Sequence, residues 1–183
     1  MPLVLLDRDG VINRDSPGTI RDPRQWRAIA GSLEAIARLS EGGWAIGVCT
    51  NQSGLGRGLI SQQDLEAIHN ELGTRVTALG GRVDGLFVCP HTDDDGCDCR
   101  KPAPGLIHQA CRALGHDPQG VPFIGDSGRD VEAARRAGAR PILVLTGNGR
   151  ATLAAGKGMD CERYDDLASA ADALMAEARR GRG

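Results

Sequence analysis

The sequence predicts an α/β fold, in which an open, mostly parallel sheet is covered by helices on both faces. Two hydrophobic patterns alternate along the 183 residues: short apolar runs, and longer segments with an apolar residue every three or four positions. The short runs are typical of strands buried in a parallel sheet, and the longer period is typical of helices. Their regular alternation predicts a doubly wound sheet.

The predicted strands are short apolar runs, each flanked on both sides by polar or turn residues. In chain order they are Leu3–Leu6, Trp44–Thr50, Leu86–Cys89, Val121–Ile124 and Ile142–Leu145. Parallel strands need crossover connections, and a segment with helical spacing lies between each consecutive pair of runs. The pattern therefore favours strand–helix–strand units throughout.

The longest predicted helix begins after Ser61, which resembles a capping residue because Asp64 follows three positions later. Its apolar face is formed by Leu65, Ile68, Leu72, Val76 and Leu79. The pair Gly80-Gly81 ends this helix. Shorter helices are predicted from Ser32 to Gly42-Gly43 and over Leu106–Leu114, Val131–Ala137 and Leu167–Ala178.

Composition excludes several function classes. The chain has 22 basic and 24 acidic residues and only five aromatic ones, so it lacks both the positive surface and the stacking platforms of a nucleic-acid-binding protein. No apolar stretch approaches the length of a membrane span, and the opening run Leu3–Leu6 is too short for a secretory signal. We therefore expect a cytoplasmic protein without nucleic-acid or membrane partners, whose six cysteines are thiols or metal ligands.

Polar residues follow several of the predicted strands, where ligands bind in doubly wound sheets. Asp7 and Asp9 follow the first strand, Thr50 ends the second, and Asp126 follows the fourth. Carboxylates that meet at one centre repel each other unless a cation lies between them, and oxygen ligands of this kind suit Mg²⁺. The spacing leaves open whether Asp130 supports such a metal or caps the next helix.

Lys101 lies in the long loop Pro90–Pro104, after the third strand. A buried ammonium group can neutralise a nucleophilic carboxylate and phosphate oxygens. The alternative is an ordinary solvated lysine, but the flanking Arg100, Pro102 and Pro104 make a stiff loop and favour the functional interpretation.

The same loop holds Cys89, His91, Cys97 and Cys99 in the pattern C-x-H-x₅-C-x-C. Three thiolates and one imidazole can form a closed, tetrahedral zinc site of the structural type. A disulfide is the alternative, which a cytoplasmic location disfavours.

Taken together, these motifs resemble the four signatures of haloacid-dehalogenase-like phosphatases, and in particular the D-glycero-D-manno-heptose 1,7-bisphosphate 7-phosphatase family. The matching segments are Asp7-Arg8-Asp9-Gly10, Thr50-Asn51-Gln52-Ser53-Gly54, Arg100-Lys101-Pro102 and Gly125-Asp126-Ser127, with the cysteine loop. The resemblance implies a Rossmann-like sheet of order 3-2-1-4-5 without a large cap domain. It also implies that residues 1–183 form one domain, with a zinc-binding loop at 89–99.

The resemblance implies a role for each matching residue. Asp7 is expected to attack phosphorus and Asp9 to serve as acid and base, while Thr50 and Lys101 hold the phosphoryl oxygens. Mg²⁺ is expected on Asp7, the backbone carbonyl of Asp9 and Asp126, and Zn²⁺ on the cysteine loop described above. The expected substrate contacts are Asp15, Ser16, Pro17, Gly18, Asn51, Gln52, Ser53 and Arg100.

The function implied is Mg²⁺-dependent hydrolysis of the 7-phosphate of the heptose bisphosphate, a small phosphorylated sugar, by a monomeric enzyme. One departure is Ser127, where a branch of that family has lysine; Arg129 is a possible replacement. A histidinol-phosphate phosphatase is the nearest alternative, because that domain shares the metal loop and all four signatures. A zinc-stabilised interaction domain without catalysis is a second alternative.

Overall fold

A computed structural model of the chain describes residues 1–16, 19–158 and 160–181. Its strands β1 to β6 are Leu3–Leu6, Ala45–Asn51, Gly85–Cys89, Pro122–Gly125, Arg140–Val144 and Glu162–Tyr164. Its helices α1 to α7 are Ser32–Glu41, Ser53–Gly56, Gln62–Ala78, Gly105–Ala113, Gly128–Ala137, Gly149–Ala154 and Leu167–Arg180. Two short 3₁₀ turns cover Pro23–Gln25 and Asp93–Asp95.

The strands form one sheet in the order β3-β2-β1-β4-β5-β6, and each neighbouring pair is parallel. The predicted α/β class and the order 3-2-1-4-5 are confirmed. The sixth strand was not predicted, because Glu162–Tyr164 has three residues and no apolar run. This edge strand is tied to β5 through Glu162, whose Oε2 accepts a hydrogen bond from Nη2 of Arg140 at 2.8 Å.

Helices cover both faces of the sheet, and alternate residues of β1 face opposite layers, as the pleat requires. Val4 and Leu6 belong to a core that includes α1, α3 and α7. Leu3 and Leu5 belong to a second core with α4 and α5. Because both faces are covered, the central strands are apolar throughout, which is the pattern that identified them in the sequence.

The strand order brings the ends of β1, β2 and β4 together. Leu6 pairs with Val48 on one side and with Ile124 on the other, and the amide of Asp7 donates to the carbonyl oxygen of Ile124 at 2.8 Å. The segments that follow β1 and β3 contain only the 3₁₀ turns within the described residues, so no large cap covers this edge. No described helix has the length and apolarity needed to cross a membrane.

Candidate active site

Three buried carboxylates converge at the carboxyl ends of β1 and β4. Oxygen atoms of Asp7, Asp126 and Asp130 all lie within 4.8 Å of one another. They line a cavity of about 130 Å³ together with Asp9, Asp15, Thr50, Asn51, Lys101, Ser127, Arg129 and Asn148. The structure therefore brings together the residues expected to carry the chemistry, although they come from distant parts of the chain.

Lys101 is the cation of this cluster. Its side chain is only 2 % exposed, and Nζ lies 2.9 Å from Oδ1 of Asp7 and 2.7 Å from Oδ1 of Asp130. Nζ also donates to the carbonyl oxygen of Cys49 at 3.0 Å. Burial disfavours the charged ammonium, but the two carboxylates more than compensate and raise the pKa of Lys101. Lys101 is therefore a fixed positive charge rather than a solvated lysine.

Of the two roles that the sequence left open for Asp130, the structure shows the helix cap, and support of a metal stays a prediction. Asp130 also pairs with Lys101. Its Oδ2 accepts hydrogen bonds from the amide of Ser127 at 3.0 Å and from the Ser127 hydroxyl at 2.5 Å, which forms a capping box at the start of α5. Its Oδ1 faces Lys101. Burial opposes ionisation of Asp130, but Lys101 and Ser127 outweigh it and lower the pKa of the carboxyl.

One ammonium group cannot balance all three carboxylates of the cluster. Burial raises the pKa of Asp7 well above its usual range, with the carboxylates of Asp130 and Asp126 adding to the effect of burial and Lys101 opposing it. Burial also raises the pKa of Asp126 to about 6. When all three carboxylates are ionised, one ammonium leaves an excess of two negative charges, and without a further cation this excess favours protonation of Asp7 and Asp126. A hard divalent cation with oxygen preference fits this donor set.

The side chain of Asp9 is turned toward three donors. Its oxygens accept hydrogen bonds from Nη2 of Arg8 at 3.0 Å, Nδ2 of Asn13 at 2.8 Å and Nε2 of Gln52 at 2.7 Å. Burial opposes ionisation, but Arg8 and these hydrogen bonds prevail and lower the pKa of Asp9. The carboxylate is thus held in one orientation at the wall of the cavity.

Asn51 and Gln52, both expected to contact substrate, have internal partners. Nδ2 of Asn51 donates to the backbone carbonyl oxygen of Lys101 at 3.0 Å, and Oδ1 of Asn51 accepts a hydrogen bond from the backbone amide of Lys101 at 3.1 Å. Gln52 donates to Oγ1 of Thr50 at 2.9 Å as well as to Asp9. These side chains therefore fix the groups that line the cavity.

A second, wider cavity of about 350 Å³ adjoins the first and shares Asp9, Asp15 and Asn51 with it. Three more of the expected contacts, Ser16, Gln52 and Ser53, line this cavity, as does Arg57. Two others, Pro17 and Gly18, lie outside the described residues. The smaller cavity, which holds the carboxylate cluster, is thus joined to a wider one.

Arg100 lines neither of the two cavities. Its Nε donates to Oδ1 of Asp93 at 2.6 Å and its Nη1 donates to the carbonyl oxygen of His91 at 3.1 Å. The side chain is 10 % exposed, whereas that of Asp93 is 74 % exposed. Arg100 thus packs against the cysteine loop, and its expected substrate contact stays a prediction.

The thiols of Cys89, Cys97 and Cys99 and Nδ1 of His91 form a compact cluster. The sulfur atoms lie 3.2, 3.6 and 3.8 Å apart, and Nδ1 lies 3.3 and 3.6 Å from two of them. A disulfide needs about 2.0 Å between sulfur atoms, whereas tetrahedral zinc with bonds of about 2.3 Å separates them by about 3.8 Å. All six cysteines are free thiols, and the cluster geometry fits a zinc ion.

The sequence reasoning missed the turn after β5. The amide of Asn148 donates to Oδ2 of Asp126 at 2.7 Å and its Nδ2 donates to the same oxygen at 3.2 Å. Gly147 allows this approach, because its φ is +53° and a Cβ there would meet Oδ2 of Asp126 at 2.2 Å. Turn residues after a fifth strand at the same edge are a signal that could have identified this segment.

Comparisons with known proteins agree with the fold. A HAD-hydrolase-like family model matches residues 98–170. The chain is 49 % identical over 179 residues to a D-glycero-beta-D-manno-heptose-1,7-bisphosphate 7-phosphatase of Bordetella bronchiseptica, covering 97 % of this chain and all of that one. It is 48 % identical over 173 residues to the Pseudomonas aeruginosa protein of the same name, covering 94 % of this chain and 97 % of that one.

The crystal structure of the B. bronchiseptica D,D-heptose 1,7-bisphosphate phosphatase, complexed with magnesium and phosphate, superposes with a TM-score of 0.93. That comparison covers 97 % of this chain and 99 % of the crystallised one, at 48 % identity. The fold and the strand-end residues define a phosphoric monoester hydrolase of the haloacid-dehalogenase-like class. Within that class, the chain belongs to the D-glycero-D-manno-heptose 1,7-bisphosphate 7-phosphatase family.

Proposed function

We propose that this protein is a Mg²⁺-dependent phosphatase that removes the 7-phosphate of D-glycero-β-D-manno-heptose 1,7-bisphosphate and leaves the heptose 1-phosphate. The observation that carries the proposal is the convergence of Asp7, Asp126 and Asp130 in the lining of a small polar cavity. The names of the relatives at 49 % and 48 % identity support this substrate and this anomer. We further propose that residues 1–183 act as one domain.

Asp7 is the proposed nucleophile. One of its carboxylate oxygens forms a bond to phosphorus while the bond from phosphorus to the sugar oxygen breaks. Oδ1 of Asp7 accepts a hydrogen bond from the Arg8 amide at 2.7 Å and faces Lys101, so the carboxylate is held in place before substrate arrives. Thr50 and Lys101, which line the same cavity, orient the phosphoryl oxygens.

Asp9 is the proposed acid and base. In the first step it gives a proton to the departing sugar oxygen, a transfer that the negative charge of the bound phosphate assists by favouring the protonated carboxyl. In the second step it takes a proton from water as water attacks the phosphorus of the aspartyl phosphate. Cleavage of the bond to Asp7 then releases inorganic phosphate and restores the carboxylate.

Asp7, Asp126 and the backbone carbonyl of Asp9 would hold the magnesium ion. When bound, Mg²⁺ offsets the negative charge of the phosphate and of the surrounding carboxylates. Asn148 is not one of these ligands, but its hydrogen bond orients the side chain of Asp126. The charge of Lys101 partly neutralises the carboxylates of Asp7 and Asp130.

We propose that Cys89, His91, Cys97 and Cys99 hold a structural zinc ion. Four protein ligands leave no open position for catalysis, so the ion would fold a loop that has little apolar core of its own. That loop leads directly into Arg100 and Lys101. The monomeric state and the cytoplasmic location expected from the sequence stay predictions.

The wider cavity favours a sugar with a second anionic group. Arg8, Arg21 and Arg57 line it together with Asp9 and Asp15, so the arginines outnumber the carboxylates there. A histidinol phosphate would bring a cationic amine to this region, where arginine side chains repel it. The heptose bisphosphate is therefore the better match to these charges.

A substrate panel tests the proposal. Purified protein with Mg²⁺ is offered the β and α anomers of the heptose bisphosphate and histidinol phosphate, and phosphate release is measured. We expect the highest kcat/KM with the β anomer and no turnover by Asp7→Asn, whose circular dichroism spectrum should match that of the unmodified protein. Preference for histidinol phosphate would overturn the substrate, and full activity of Asp7→Asn would overturn the mechanism.

A further inference from the structure

Arg8, between the two motif aspartates, is buried although it is charged. It is 1 % exposed, and its guanidinium contacts two groups from different parts of the chain. On one side Nε and Nη2 donate to the Asp9 carboxylate at 3.3 and 3.0 Å. On the other side Nη1 lies 3.0 Å from Nε2 of His69, which belongs to α3.

The contact between Arg8 and His69 fixes the protonation of the imidazole. An arginine side chain has five donors and no acceptor, so Nε2 of His69 must be the unprotonated, accepting nitrogen. His69 is therefore the neutral tautomer with its proton on Nδ1. Burial, followed by the charge of Arg8, lowers the pKa of His69 to about 4, so this neutral form persists at neutral pH.

The chain of contacts ends at the proposed acid and base. The Asp9 side chain is 24 % exposed, so it depends on neighbours to keep one orientation. Asn13 and Gln52 each supply one hydrogen bond to it, whereas Arg8 spans both of its oxygens. A long arginine side chain keeps its planar donors aimed only if the other end of the guanidinium is also held.

We propose that His69 is a positioning residue for proton transfer, which acts through Arg8 to aim the Asp9 carboxylate at the leaving oxygen. This inference rests on the proposed function, because it requires that Asp9 protonates a leaving group. His69 contacts Arg8 rather than the reacting atoms. The alternative is that His69 only satisfies a buried arginine and stabilises the fold.

The leaving group separates the two roles. A sugar alkoxide is a poor leaving group that needs a proton, whereas p-nitrophenolate leaves readily without one. The value of kcat/KM reports only the steps up to the departure of the leaving group. A misaimed Asp9 therefore lowers kcat/KM for a sugar phosphate much more than for p-nitrophenyl phosphate, and a merely less stable enzyme loses equally on both.

The experiment compares His69→Leu, His69→Gln and His69→Asn on both substrates. His116→Leu is the control, because His116 lines neither site cavity. Glutamine can place an acceptor where Nε2 lies, and asparagine is too short to reach Arg8. We expect His69→Leu to lower kcat/KM for the sugar phosphate about ten-fold more than for p-nitrophenyl phosphate. We expect His69→Gln to recover most of that loss and His116→Leu to resemble the unmodified enzyme.

If His69→Leu does not fold, the comparison of His69→Gln with His69→Asn decides. A kcat/KM that falls only in His69→Asn, and only on the sugar phosphate, supports the inference. Equal kcat/KM values of the two variants on the sugar phosphate overturn it. Adding His69→Gln or His69→Asn to Asp9→Asn should give no further loss on the sugar phosphate. Equal losses on both substrates would overturn the inference. If the unmodified enzyme does not hydrolyse the heptose bisphosphate but cleaves another alkyl phosphate, the proposed substrate is overturned. The His69 variants can then still be compared on that alkyl phosphate and on p-nitrophenyl phosphate.

Discussion

The ammonium group of Lys101 lies 2.9 Å from Oδ1 of Asp7, in a part of the protein that solvent barely reaches. The same group lies 2.7 Å from Asp130, so one cation serves two carboxylates. Asp126 lies beside them and is not paired with Lys101. The arrangement fixes the carboxylate of Asp7, the proposed nucleophile, and leaves negative charge that a divalent cation would balance.

Replacing Lys101 should harm both stability and turnover. In Lys101→Met the buried carboxylates of Asp7 and Asp130 lose their partner, and breaking a buried ion pair from one side costs about 3 kcal/mol or more. Phosphoryl oxygens also lose a fixed charge, so kcat should fall by about 10² or more. Urea unfolding and steady-state kinetics measure the two effects.

Lys157→Met is the matched control, because Lys157 is exposed and lines neither of the two site cavities. It should change the free energy of unfolding by less than about 0.5 kcal/mol. Equal stability of Lys101→Met and Lys157→Met would contradict the assigned ion pairs.

The free energy of unfolding without magnesium should depend on pH through Asp126. Its pKa is raised to about 6 in the folded protein, above the ordinary value of 3.8. Between these values the folded state binds a proton that the unfolded chain releases, so the contribution of Asp126 to stability falls as pH rises from about 4 to 6.

Asp126→Asn lacks this titration and isolates the effect. The variant should gain stability relative to the unmodified protein by about 2 kcal/mol as pH rises from about 4 to 6, and the difference should level off above that interval. Unfolding in magnesium-free buffers across this range measures it. A difference that does not change with pH would refute the assignment.

Loss of the proposed zinc ion should weaken the loop that carries Lys101. Cys97→Ser removes one of four ligands, so zinc content per chain and Tm should fall, and KM for the phosphate ester should rise several-fold because Arg100 and Lys101 follow directly on the chain. Metal analysis, thermal unfolding and kinetics provide the three readings.

Cys161→Ser is the control, since Cys161 is a free thiol outside the cluster. It should keep full zinc content. Normal zinc content in Cys97→Ser would show that this thiol is not a ligand.

Arg100 should distinguish a bisphosphate from a monophosphate. Its partner Asp93 is 74 % exposed, and an exposed ion pair is weak, so a substrate phosphate can take the place of that carboxylate. Arg100→Ala should raise KM about ten-fold for the bisphosphate and much less for a simple monophosphate. Steady-state kinetics on both esters provides the measurement.

Arg112→Ala is the control for removing one arginine charge from the same region, since Arg112 lies on α4 and lines neither site cavity. It should behave as the unmodified enzyme does on both esters. Equal increases of KM on both esters in Arg100→Ala would exclude a role in specificity.

Local patterns predicted the main elements well because they arise from local physics. Apolar runs between turn residues predicted five strands. The spacing of apolar residues after Ser61 predicted α3, and Oγ of Ser61 accepts a hydrogen bond from the amide of Asp64 at 3.0 Å. The edge strand Glu162–Tyr164 was missed because a short strand at the edge of a sheet needs few apolar side chains.

The sequence by itself determined which chemical groups the protein has and at which end of the sheet they lie, because parallel strands present their carboxyl ends at one edge. Only the tertiary structure decided their partners: Lys101 with Asp7 and Asp130, and His69 with Arg8. Such pairings depend on distances set by packing between remote segments. No local pattern encodes those distances, which is why Asp130 and His69 could not be assigned before the chain was folded.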